Sequence, residues 1–225
     1  MMTRRNYIIV FGNQKGGVGK STLCTMFANY LSEQNEKVRI IDCDKQHSVT
    51  IKREKDLKAE PEATVPYPIQ RMELTTIEKS LSLMQAIKKY EGFVLLDSPG
   101  NLYMASLIPL VCYCDMIICP YQYEATTLWS TISYLNFIGT SWKKENVPHR
   151  KLVYVPNRVD VRVGLQDEKK QWRLTDDAFE KTGGVVTPKI HELANIGRYT
   201  TLGNYPEQKK SVEPAFDTIM NIING

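Results

Sequence analysis

Apolar residues along this chain follow two rhythms. Continuous runs at Tyr7–Phe11, Val38–Asp42, Phe93–Asp97 and Met116–Pro120, with a fifth at Lys151–Pro156, predict short strands buried on both faces, because a half-exposed strand would alternate apolar with polar. Between them the spacing becomes helical. Ser21–Gln34 sets Leu23, Phe27, Tyr30 and Leu31 on one side, and Thr76–Tyr90 does the same with Ile77, Leu81, Met84 and Ile87. Alternating strand and helix predicts an α/β fold, a doubly wound, mostly parallel sheet flanked by helices, with ligands bound beyond the carboxyl ends of the strands. The three prolines between Pro61 and Pro68 mark a connection or a poor edge strand. No repeat, low-complexity tract or linker interrupts the pattern, so residues 1–225 are expected to form a single domain.

Composition narrows the setting. With 225 residues and 42% hydrophobic content the chain can bury a core without disulfides, and a formal charge of +4 permits a polyanionic partner without demanding one. Five cysteines, Cys24, Cys43, Cys112, Cys114 and Cys119, fall in or beside apolar runs and none has C-x-x-C spacing. They read as small buried side chains of a reduced, cytosolic chain, Cys112-Tyr113-Cys114 included. The first apolar run, five residues long, is too short for a signal-peptide core or a membrane span, and the chain is expected to be soluble and unexported.

The polar motifs cluster at predicted strand ends. Tyr7–Phe11 runs into Gly12-Asn13-Gln14-Lys15-Gly16-Gly17-Val18-Gly19-Lys20-Ser21-Thr22, with a helix following directly. A glycine-rich strand-to-helix loop wraps backbone N–H groups around phosphate oxygens, and the helix N-terminus adds positive partial charge. Gly16, Gly17, Val18, Gly19, Lys20, Ser21 and Thr22 are therefore the candidate nucleotide-binding residues. Lys20 is expected on the β- and γ-phosphates of ATP and the Ser21 hydroxyl on Mg²⁺. Val38–Asp42 continues into Cys43-Asp44-Lys45-Gln46; since residues two apart on an extended chain face the same way, Asp42 and Asp44 are both expected near the γ-phosphate. Phe93–Asp97 is an apolar strand ending in a carboxylate, the form of a magnesium-holding Asp, so Ser21, Asp44 and Asp97 are the candidate metal residues.

Lys15 separates this loop from the ordinary G-x-x-x-x-G-K-[ST] pattern, which would place glycine where the chain has Gln14. The segment Lys15–Ser21 resembles the deviant Walker A signature K-G-G-x-G-K-[ST] of the ParA/MinD family of P-loop ATPases. The resemblance implies an ATP-sandwich homodimer in which Lys15 reaches the partner's nucleotide. It makes Lys15, Lys20 and Asp44 the catalytic candidates, because Asp42–Gln46 is similar to the family's D-x-D-P-Q segment, whose second Asp positions or activates water. Lys45 stands where that pattern has proline, which puts the loop's geometry in doubt. Ser98-Pro99-Gly100 is similar to the family's second switch turn. Asn157-Arg158 matches the position where members contact adenine, and Cys119–Glu124 resembles a strand-end P-x-x-x-E segment at a dimer or partner surface. The resemblance runs from about residue 6 to the C-terminus and is loose over 187–203.

What it implies for function is an ATPase that dimerises with ATP, binds duplex DNA nonspecifically, and releases it when a ParB-like partner stimulates hydrolysis. Such a cycle moves plasmids, chromosomes or a DNA-linked cargo, in the bacterial cytoplasm at the nucleoid. With the first strand beginning near Tyr7, the chain resembles the short ParA type. Candidate DNA contacts are Lys143, Lys144, Arg150 and Lys151 in one cluster and Lys189, Arg198, Lys209 and Lys210 in another. Four neutralised phosphates per protomer would give a salt slope of about −3.6. A MinD-like membrane switch is the alternative within the family, together with a regulatory ATPase such as one of conjugative transfer. Ser211–Gly225 holds no Lys or Arg and spaces Val212, Phe216, Ile219, Met220 and Ile223 for core packing, so no membrane contact is expected.

Overall fold

The computed structural model describes residues 6–101, 104–160, 166–192 and 196–225. The N-terminal arginines and residues 193–195 of the loosely matching segment lie outside them. Seven strands form one parallel sheet: β1 (Asn6–Phe11), β2 (Val38–Asp42), β3 (Ile69–Arg71), β4 (Gly92–Asp97), β5 (Met116–Tyr121), β6 (Lys151–Pro156) and β7 (Val185–Val186), in the order β3-β2-β4-β1-β5-β6-β7. The five predicted strands are present within one residue at each end, and Asn6 and Gly92 extend two of them. The prolines of 61–68 form a connection that delivers the three-residue edge strand β3.

Register decides where chemistry can occur. Phe11 is level with Asp97, and Asp97 with Asp42, so β1, β2 and β4 end in one row. The chain leaves β1 for β2 on one side and leaves the neighbouring β4 for β5 on the other, making the carboxyl ends of β1 and β4 the switch point where α/β sheets open a crevice.

Among the described residues seven α-helices cover the sheet: α1 (Lys20–Glu33), α2 (Ser48–Ala59), α3 (Ile77–Ile87), α4 (Ile108–Tyr113), α5 (Ala125–Lys144), α6 (Gln166–Glu180) and α7 (Pro206–Asn224). On one face Ile9 and Phe11 pack with Phe27 of α1 and Phe216 of α7, whose rings meet edge-on at 5.0 Å. On the other, Ile8 and Val10 pack with Leu83 and Met84 of α3, Leu110 of α4 and Tyr134 of α5. The α7 stripe Val212, Phe216, Ile219, Met220 and Ile223 is buried in the core, and among the described residues no helix is long and apolar enough to cross a membrane. All five cysteines are buried and free.

Two helical expectations change. The predicted helix at Thr76–Tyr90 is shorter, Ile77–Ile87: the Thr76 hydroxyl caps its start by accepting from the Lys79 N–H at 3.2 Å, and it ends before Lys88. Its buried side is Ser80, Leu83, Met84 and Ile87, while Ile77, in the first turn beyond the sheet's cover, is 40% exposed. Helix α1 is buried nearly all round, since α2 and α7 close over it; one-sided amphipathicity therefore understates its burial.

Candidate functional site

At the end of β1 the chain turns into a loop that is stapled from below. Asn13 is fully buried; its amide donates to the Pro120 carbonyl at 2.8 Å and the Thr131 hydroxyl at 2.9 Å, while its oxygen accepts from the Lys15 N–H at 3.2 Å. Gly19 adopts φ +99, and a Cβ there would sit 2.2 Å from the Asn157 side-chain nitrogen, so no other residue fits. That nitrogen donates to the Val18 carbonyl at 2.8 Å, tying the loop to the end of β6. Lys20 is buried and donates to the Lys15 carbonyl at 3.1 Å across the turn. Burial pulls its pKa down, and Asp97 and Asp44 oppose this.

The loop floors a cavity of about 480 Å³ whose walls include Lys20, Ser21, Asp44, Lys45, Gly100 and Tyr199. Gly16, Gly17, Gly19, Thr22 and Arg158 also line it, so most of the candidate nucleotide residues converge there. Val18 is buried beneath the loop. Lys15 is half-buried and is not among the lining residues. Gly100 is a close approach: a Cβ would lie 2.9 Å from the Gln14 carbonyl and 3.5 Å from the Lys20 ammonium.

The three carboxylates part company. Asp42 does not face the cavity as expected; it is fully buried and accepts from the Thr50 N–H at 2.9 Å and the Thr50 hydroxyl at 2.7 Å, fixing α2 to the sheet. The chain leaves the strand at Asp42, so the two-residue repeat ends there and Asp44 turns separately into the cavity. Asp97 is fully buried, and among the described residues neither of its oxygens has a hydrogen-bond partner. Burial raises its pKa to about 7, against the Ser21 hydroxyl and Lys20 and with help from Asp42 and Asp44.

An unpaired buried carboxylate beside a serine hydroxyl fits a hydrated divalent cation. Among the described residues no group of three or more His, Cys, Asp or Glu side chains could cage a metal alone. Mg²⁺ suits this donor set, because it keeps several waters and takes one or two protein ligands plus phosphate oxygens.

Beside Gly19 and Thr22 a smaller cavity of about 230 Å³ is lined by Asn157, Arg158, His191 and Ile196. One amide proton of Asn157 is committed to Val18, whereas among the described residues its buried oxygen has no partner, which leaves it able to accept from an exocyclic amino group. Arg158 holds a left-handed φ of 54 where the two cavities meet.

Sequence reading missed three contributors. Asn13 carries no motif signal except its place after Gly12. Ser48 opens α2 and its hydroxyl donates to that of Ser21 at 3.0 Å. Tyr199 lines the main cavity from a segment distant in sequence; burial, opposed by a bond to the Thr22 hydroxyl, pushes it up to about 12.

The two basic clusters are reduced. Arg150 donates to the Cys112 carbonyl at 2.8 Å and Lys151 to the Ile222 carbonyl at 2.5 Å, each closing a helix C-terminus. Lys189 pairs with Asp176 at 3.1 Å and Lys209 with Glu33 at 3.1 Å. Lys143, Lys144, Arg198 and Lys210 remain exposed.

Comparison with known proteins places this geometry. Residues 9–198 match the family model of the CobQ/CobB/MinD/ParA nucleotide binding domain. Over 195 residues the chain is 28% identical to the maintenance of carboxysome distribution protein A of Halothiobacillus neapolitanus, covering 86% of this chain and 83% of that protein. It is 30% identical over 138 residues to the chromosome-partitioning ATPase Soj of Thermus thermophilus, covering 52% and 55%. The ATP complex of a Cyanothece McdA variant superposes with a TM-score of 0.74 at 17% identity, over 99% of this chain and 98% of that one.

Proposed function

The chain belongs to the CobQ/CobB/MinD/ParA nucleotide-binding family, and from that premise we propose that it is a Mg²⁺-dependent ParA-type ATPase that dimerises around ATP and acts on a DNA-linked cargo. The observation that carries this reading is that Lys20 and Ser21 of the Lys15–Ser21 loop act on the buried Asp97 carboxylate, which has no hydrogen-bond partner assigned among the described residues. Lys20 and the loop N–H groups hold the phosphates. Ser21 and Asp97, with Asp44 at the rim, hold the magnesium ion, which supplies charge neutralisation to the phosphate oxygens when bound. Asp44 orients the attacking water. Asn157 accepts from the adenine amino group, and Arg158 covers the base.

Lys15 supports the dimer. Its side chain does not line its own cavity, so a role at a second subunit's phosphates is open to it. A cation delivered across an interface stabilises charge on the transferring phosphoryl group. The partners in this reading are a second copy of the chain, duplex DNA and a ParB-like stimulator, in the bacterial cytoplasm at the nucleoid, with residues 1–225 acting as one domain.

The test is nucleotide binding and light scattering with ATP, ADP and EDTA. The native chain should bind both nucleotides and become dimeric only with ATP and Mg²⁺. Lys20→Ala should lose tight binding of either nucleotide, and Lys15→Ala should bind but stay monomeric or lose stimulation. A native chain that stays monomeric with ATP, or a Lys20→Ala variant with native affinity, would sink the reading.

A further inference from the structure

Lys45 occupies the second position of a turn from Asp44 to His47. The His47 N–H bonds the Asp44 carbonyl at 3.0 Å, and the Gln46 N–H bonds the Asp44 carboxylate at 2.9 Å. Proline suits that position because its φ is preset. Here an Asx-type turn does the same work with hydrogen bonds, so the backbone keeps its shape and the position is released to a long cationic side chain. The geometry that the missing proline put in doubt is set by these two bonds.

The turn forms one wall of the 480 Å³ cavity, and Lys45 lines it together with Lys20, Ser21 and Gly100. Its side chain is exposed, and among the described residues its ammonium has no hydrogen-bond or ion-pair partner. The magnesium complex of a triphosphate stays dianionic, and Asp44 and Asp97 add negative charge beside it. Lys20 answers from below, out of the loop; the turn side of the cavity has a carboxylate in Asp44 and, next to it, this uncommitted ammonium. Charge-assisted bonds to phosphate oxygens are stronger than neutral ones, and a lysine serves such a site as a point charge.

Resting on the reading of this cavity as an ATP site, we propose that Lys45 contacts the terminal phosphate of the nucleotide bound to its own subunit. The turn thereby distinguishes a triphosphate from a diphosphate before any second subunit arrives. Lys15 and Lys45 then divide the work: one cation serves the partner's nucleotide and the other its own.

Equilibrium binding of AMPPNP and ADP, each with Mg²⁺, to the native chain and to Lys45→Ala, Lys45→Arg and Lys45→Pro tests this. Lys45→Ala should weaken AMPPNP by roughly five-fold and ADP by less than about two-fold, the scale of one partly exposed charge pair. Lys45→Pro, which suits the turn and lacks the charge, should behave like Lys45→Ala, and Lys45→Arg should stay near native. Equal loss for both nucleotides, no loss, or native AMPPNP preference in Lys45→Pro overturns the assignment. Those outcomes leave the ATP-site reading standing, whereas a native chain that binds neither nucleotide removes both.

Discussion

Asp97 is fully buried, with both oxygens unpaired among the described residues and its pKa raised by burial to about 7. A carboxyl whose folded pKa is raised contributes stability at low pH that is lost as pH climbs through the folded value. Without nucleotide or metal the protein should therefore lose stability between about pH 4 and 7, by an amount on the order of 2 kcal/mol once relaxation of the site is allowed for. Asp97→Asn should flatten that slope and melt higher than native at pH 8 in EDTA, while losing Mg²⁺-dependent nucleotide affinity. Thermal melts at two pH values check this, and a variant that keeps the native slope would clear Asp97 of causing it. Asp44 differs in being half-buried, at the cavity rim, with one oxygen committed to its own turn. Asp44→Ala should still bind nucleotide and turn over at least about 100-fold more slowly, accumulating an ATP-bound dimer. Native single-turnover rates would remove it from the reaction.

At the scale of elements, strands were easier to read than helices, and the reason is burial. A strand covered on both faces must be apolar throughout, so β1, β2, β4, β5 and β6 announce themselves. Helices α2 and α6 bury almost nothing apolar, only Val49 in one and Phe179 in the other; α2 leaves no periodic trace, and α6 is amphipathic but so polar overall that few apolar positions mark it. What secures α2 is polar. Asp42 holds its start, and its middle carries the buried Arg53, which donates to the Thr201 hydroxyl at 2.7 Å and to the Tyr67 carbonyl at 3.0 Å. Asp56 accepts from the Thr201 N–H and hydroxyl, both at 2.8 Å, and from Lys52. No local pattern could join residues so far apart, which also explains why Ser48 and Tyr199 escaped notice at the site. Burial alone would raise the pKa of Asp56, but Lys52 and the two Thr201 bonds outweigh it and hold the carboxyl below its usual range. Stability from such a group is present above the unfolded value and lost as pH falls through the folded one. Asp56→Asn should cost about 1–2 kcal/mol at pH 7, with the gap from native closing below about pH 4. Urea unfolding at the two pH values measures this, and a gap that persists in acid would mean that packing, not charge, holds α2.

For the whole molecule, the question is how a mildly basic chain would hold DNA. Counting lysines and arginines along the sequence gave two clusters of four, but a count cannot see partners. Arg150, Lys151, Lys189 and Lys209 each have an intramolecular one. The cations left exposed do not share a face. Lys143 and Lys144 end α5, which covers one side of the sheet, and Lys210 lies on α7, which covers the other. Arg198 follows Ile196 and Gly197, which border the smaller cavity at the ligand edge. A straight duplex therefore meets about two of these cations per protomer, and the slope of log K against log salt should be roughly −2 per protomer. That is shallower than the figure of about −3.6 expected from the sequence. Fluorescence anisotropy with AMPPNP and Mg²⁺ across a salt series reads the slope directly, with ADP as the control state. The double variant Lys143→Ala, Lys144→Ala and the double variant Arg198→Ala, Lys210→Ala separate the surfaces, since only the one that touches phosphate should flatten the slope. A steep native slope that neither double variant changes would mean that the paired cations release their partners to bind DNA. Equal affinity with ADP would detach DNA binding from the nucleotide altogether and leave the loop at Lys15–Ser21 timing some other association.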